Sequence, residues 1–130
     1  MRVAVAAFAD SVPVVRHALI GVAEVAGLSP LQTKDVEIAV TEACTNAVLH
    51  AYDNAAGVID VAAWLGERQL VVVVRDHGRG VSSPSDHHDG LGLGIPLMEG
   101  LADQMTIREP DDGGTEVRLT FLREADPARA

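Results

Sequence analysis

Three polar residues recur every fourth position in an otherwise apolar stretch: Glu42, Asn46 and His50, within "TKDVEIAVTEACTNAVLHAY". If the stretch is helical, this spacing sets them along one face. The types suit chemistry on a charged substrate. A carboxylate can take a proton, an amide oxygen is a hard ligand for Mg²⁺, and an imidazole can meet a phosphate. Around them Ile38, Ala39, Ala43, Ala47 and Leu49 are apolar, so a solvated helix stripe would explain any one of the three taken alone. A second group is "DHGRG", residues 76–80, after the apolar run "LVVVV". A carboxylate at the end of a strand that is apolar on both faces points into a pocket, where Asp76 can accept from an exocyclic amino group such as adenine N6. Gly78 lets a flat ring or the backbone come close, and Gly80 allows backbone conformations closed to other residues. A third group is "DGLGLGIPLMEGLA", with Gly90, Gly92 and Gly94 directly before a helix. Backbone N–H groups at such a helix start bind phosphate. The spacing is neither a P-loop nor a dinucleotide fingerprint. Last, "GGTEVRLTF" sets Thr115 at the entry to a strand.

The elements that must position these groups follow from periodicity and punctuation. Residues 2–9 read as a short strand. Asp10 or Ser11 is an N-cap candidate before a helix with Pro13 in its first turn, apolar positions Val15, Ala18, Leu19, Val22 and Ala26, and a stop at Gly27. "SPLQ" at Ser29 is a capping-box pattern with proline in the first helical position, and the helix it opens is expected to run unbroken to Tyr52. Residues 57–65 and 69–75 form a hairpin across "GER", and residues 76–90 have no periodicity and read as a mobile loop. Residues 91–102 form a helix, and 104–108 with 115–122 a second hairpin around "EPDDGG". The order β-α-α-β-β-loop-α-β-β predicts an α/β (α+β) two-layer sandwich, helices on one face of a mixed, mostly antiparallel sheet. One domain over residues 1–122 and a disordered tail over 123–130 are expected.

Composition excludes several classes. The 130 residues suffice for one core, built from Val, Ala, Leu and Ile because aromatics are only 3%. A net charge of −9 speaks against direct binding to nucleic acid or to anionic membranes. It fits a soluble protein, whether the acidic surface serves solubility alone or also meets a basic partner. The single cysteine, Cys44, permits no internal disulfide, lies in an apolar helical pattern and reads as core. The start reads as no signal peptide and no run is long enough to span a membrane, so a cytoplasmic protein is expected. His17 reads as surface, and the His87–His88 pair lacks a third ligand at metal-site spacing.

Taken in order, E-x-x-x-N-A-x-x-H-A-Y, D-x-G-x-G, G-x-G-x-G and G-T resemble the boxes of the GHKL (Bergerat-fold) ATP-binding superfamily, over nearly the whole chain. Within it, "VTEACTNAVLHAY" is most similar to the small anti-sigma-factor serine/threonine kinases of bacterial sporulation and general stress. The resemblance implies a nucleotide between helices and sheet, under a lid. It implies Asn46 as the Mg²⁺ ligand, Glu42 as general base and Asp76 as the contact to the adenine amino group, with Gly78 beside the base and Thr115 in support. Gly92 and Gly94 would wrap the phosphates near His50. It further implies ATP and Mg²⁺ as cofactors, a sigma factor and a small anti-sigma-factor antagonist as partners, and a homodimer. Such kinases carry an arginine in the lid before the glycine cluster, whereas no Arg or Lys occurs here between Val81 and Met105. That departure keeps open a second reading, a nucleotide-binding module that captures a partner without phosphorylating it. A third, the detached catalytic module of a histidine kinase, is disfavoured because the chain has no dimerisation helix pair with a phospho-accepting histidine.

Overall fold

The computed structural model describes residues 1–51, 57–78 and 94–123. Strand β1 (Arg2–Ala6) leads through a 3₁₀ turn (Ala9–Ser11) into helix α1 (Val12–Val25), and helix α2 (Pro30–Asn46) continues into a π-helical segment (Ala47–Ala51). Strands β2 (Val58–Leu65) and β3 (Gln69–Asp76), helix α3 (Gly94–Leu101), and strands β4 (Gln104–Arg108) and β5 (Thr115–Leu122) complete the order. The expected helices and hairpins are all present. The predicted loop of residues 76–90 and the start of the last predicted helix lie mostly outside the described residues.

The sheet runs β1-β2-β3-β5-β4, and every pairing is antiparallel. The expected parallel component is therefore not a direct pairing. β3 and β4 run parallel, as a strand–helix–strand crossover requires, but β5 inserts between them and pairs antiparallel with both. β3 is the middle strand, and Leu70 to Val74 are buried on both faces, as a central strand demands. The helices cover the face carrying Ile59, Val61, Val72, Val74 and Leu119.

Local sequence explains the helix starts. Ser29 forms the expected capping box: its Oγ accepts from Gln32 N at 3.1 Å, and Gln32 Oε1 accepts from Ser29 N at 3.0 Å. The cap expected at Asp10 or Ser11 differs. Ser11 holds the N-cap position of α1 in a helical conformation without a side-chain cap bond, because the preceding 3₁₀ turn already supplies the helical entry. The second helix also departs from its predicted single run. Its α-helical part ends at Asn46, the wider π turn follows, and Tyr52 is outside the described residues.

Arg123 locks the far end: its Nε donates to Ala26 O at 2.9 Å and its Nη1 to Gly66 O, joining the end of α1 to the β2–β3 turn. Cys44 is 1% exposed and burial pushes its thiol up to about 12. A thiol reagent at neutral pH is expected to label Cys44 only on unfolding, with a rate that follows denaturant. Rapid labelling of native protein would contradict this packing.

Candidate functional site

Helix α2 packs its apolar face (Val36, Ala39, Val40, Ala43, Cys44) into the core. Glu42 and Asn46, four apart, therefore share a neighbouring face and are half-buried. What covers them is the start of α3. A Cβ added to Gly94 would lie 2.9 Å from Asn46 Nδ2, 3.2 Å from Asn46 Oδ1 and 3.3 Å from Glu42 Oε2. The two polar ends thus converge on the backbone of Gly94, at the N-terminus of α3, where the helix carries partial positive charge. The sequence places Gly94 in a phosphate-binding cluster; the structure adds a steric reason for it. The four-residue phase holds from Glu42 to Asn46 only, because His50 falls in the π-helical segment, a form often found at functional positions.

Alanine at Gly94 would press on the far ends of two side chains rather than on backbone, so they must turn aside while the fold holds. Gly94→Ala is expected to leave the melting temperature nearly unchanged and to slow any reaction that Glu42 and Asn46 serve by about 10- to 100-fold, since small misplacements of reacting groups have effects of that size. Turnover at the native rate would contradict the contact.

The second half of the site is the end of β3. Asp76 is 7% exposed, and a carboxylate is rarely so buried without partners. Its Oδ1 accepts from Gly78 N at 2.9 Å and from Thr115 N at 3.2 Å. Thr115 is its register partner across the β3–β5 ladder and is buried as well. Two backbone donors orient the carboxylate. Next to it His77 Nε2 meets Asp60 Oδ2 at 2.8 Å, tying the residue after Asp76 to β2.

Gly114, absent from the sequence-level site residues, proves decisive here. It has φ +82°, and a Cβ on it would lie 2.1 Å from Asp76 O and 2.9 Å from His77 Cα. Only glycine lets β5 begin close enough for Thr115 N to reach Asp76. The signal was the doubled glycine of "DDGGT", legible as a turn but not as a close approach. Gly113 also has positive φ, +95°, yet a Cβ there meets nothing within 4 Å.

Glu42, Asn46 and Gly94 thus form one cluster, and Asp76, Gly78 and Thr115 the other. Gly80 and Gly92 lie outside the described residues, as do Arg79, His87 and His88. Among the described residues no group of three His, Cys, Asp or Glu is placed to hold a metal. Mg²⁺ is commonly held by one or two side-chain oxygens together with substrate phosphates, and Asn46 carries an oxygen of the right kind.

An antiparallel sheet under three helices, a buried acceptor at the end of its middle strand and a carboxylate–amide pair facing a glycine-led helix together define a nucleotide-binding ATPase fold. The profile of the histidine kinase-like ATPase domain matches residues 5–121. The chain belongs to this GHKL family, in the branch of anti-sigma-factor serine kinases. It is 38% identical over 127 residues to the serine-protein kinase RsbW of Bacillus licheniformis, covering 85% of this chain and 78% of that one. To RsbW of Bacillus thuringiensis it is 31% identical over 129 residues, covering 88% and 80%. Among solved structures it is similar in fold to the RsbU and RsbW domains of Rv1364c from Mycobacterium tuberculosis, with a TM-score of 0.68 and 23% identity, over 96% of this chain and 34% of that chain.

Proposed function

We propose that this chain is a Mg²⁺-ATP-dependent serine/threonine protein kinase that acts as an anti-sigma factor. It binds a sigma factor and phosphorylates a small anti-sigma-factor antagonist on serine or threonine, in the cytoplasm and as a homodimer. The observation that carries the reading is the convergence of Glu42 and Asn46 on Gly94, because phosphoryl transfer requires a base and a phosphate-binding helix start in one place. Asp76, held by Gly78 N and Thr115 N, accepts from the adenine amino group. Gly92 and Gly94 wrap the phosphates near His50. Asn46 would hold Mg²⁺ through its side-chain oxygen, and the ion would supply neutralisation of charge on the transferring group. Glu42 takes the proton of the attacking hydroxyl as its oxygen bonds to the γ-phosphorus and the bond to ADP breaks.

One observation favours a second reading. With no Arg or Lys between Val81 and Met105, the segment before the glycine cluster offers the γ-phosphate no arginine or lysine. A module that captures its partner without phosphorylating it would result. Incubation with γ-labelled ATP, Mg²⁺ and the host's small antagonist-like proteins separates the two. Label on a serine or threonine is expected; ATP binding and partner capture without label would support the second reading.

A further inference from the structure

The end of β3 serves two faces of the sheet. Asp76 lies on the helix side with its register partner Ile59, a core residue. Arg75 lies on the opposite side, between Asp60 of β2 and Glu116 of β5. From there its Nη2 donates to Asp112 Oδ1, in the turn between β4 and β5. The Arg75 side chain is only 27% exposed, and its Nε is buried without a hydrogen-bond partner among the described residues. A buried donor left unmet costs stability, so packing alone does not account for an arginine at this position. The carboxylates beside it already hold other cations or donors: Glu116 pairs with Arg108, and Asp60 meets His77. What Arg75 does is tie β3 to the turn.

The turn needs such a tie. Gly113 and Gly114, with φ of +95° and +82°, give its backbone little preference of its own. Glu109, Asp111 and Asp112 crowd it with like charge, which favours its spreading. Yet its position decides the state of the acceptor. Three residues beyond Asp112, Thr115 N donates to Asp76 Oδ1 at 3.2 Å, the long end of the hydrogen-bond range. A small retreat of the turn would lose that bond. Gly114 permits the close approach by having no Cβ, and Arg75, through Asp112, holds it.

We propose that Arg75 is a positioning residue for adenine recognition: its ion pair with Asp112, on the sheet face away from the helices, holds the β4–β5 turn against β3 and so keeps Asp76 aimed. The proposal rests on Asp76 as the acceptor of the adenine amino group. Calorimetric titration of the full chain with Mg²⁺-ATP and with purine riboside triphosphate, which lacks that amino group, tests it. The variants are Arg75→Gln, Arg75→Lys, Asp112→Asn and the double Arg75→Gln/Asp112→Asn. Asp112 is 72% exposed, so its variant leaves the packing intact. Wild type should prefer ATP over the analogue by at least about tenfold. Arg75→Gln and Asp112→Asn should each cut that preference by about threefold to fivefold, the size of one partly exposed ion pair, with analogue affinity within about twofold of wild type. Arg75→Lys, which keeps the charge, should stay near wild type, and the double variant should lose no more than either single one. A preference unchanged in Asp112→Asn, equal losses for ATP and the analogue, or additive losses in the double variant would overturn the clamp while leaving Asp76 its role. A wild type without any preference would overturn the adenine contact and the clamp with it.

Discussion

Replacing Gly114 by alanine is expected to destabilise the domain by about 2–4 kcal/mol, the range reached by single changes that force backbone strain or overpacking. The same change should weaken ATP binding by at least about tenfold, the effect of losing one hydrogen bond near 1.4 kcal/mol. Both effects have one origin. The new methyl group would lie 2.1 Å from Asp76 O, a distance no real contact tolerates, so β5 must withdraw from the end of β3. Withdrawal breaks the bond from Thr115 N to Asp76 Oδ1, and the carboxylate loses its orientation. Gly113→Ala is the matched control. It shares the positive φ but has open space around its Cβ, so it should carry only the conformational strain of about 1–2 kcal/mol. Thermal melts and calorimetric ATP titrations on both variants check this. Equal behaviour of the two would show that the close approach to Asp76 is irrelevant.

Asp76→Asn isolates the carboxylate from its scaffold. The asparagine Oδ1 can still accept from Gly78 N and Thr115 N, so folding stability should change by less than about 1 kcal/mol. The site, however, loses the negative charge and gains an N–H donor facing the donor of the adenine amino group. Bonds to charged acceptors contribute about 1.5–3 kcal/mol, and a buried donor–donor clash adds to that, so ATP affinity should fall at least about 100-fold. An affinity within about twofold of wild type would exclude Asp76 from adenine recognition.

What was legible in the sequence was whatever depends on short-range pattern. The capping box at Ser29–Gln32, the two hairpins and the buried middle strand each follow from neighbouring residues. The pairing of Glu42 with Asn46 followed from helical spacing alone. Long-range approach was harder to read. Nothing local says that Gly94 faces Asn46, 48 residues earlier by position but in contact in space, or that Gly114 abuts Asp76. The glycines could be read as permissive, whereas the structure shows Gly114 to be sterically required and the ends of Glu42 and Asn46 to close on Gly94. The insertion of β5 between β3 and β4 was likewise hidden, because strand order is set by which edges the whole chain leaves available. The π turn after Asn46 escaped for a different reason: "AVLHA" contains no breaker, and the α and π forms of such a stretch differ only in tertiary context.

The central claim is that Glu42, beside Asn46 under the start of α3, is the base of a phosphoryl transfer. Single-turnover transfer of γ-phosphate from Mg²⁺-ATP to the antagonist, with Glu42→Gln set against wild type, tests it most directly. The substitution preserves size and leaves Asp76 untouched, so ATP affinity should stay within about twofold. Transfer should fall by about 10²- to 10⁴-fold, the usual contribution of a positioned general base. A variant that binds ATP and transfers phosphate as fast as wild type would contradict the account.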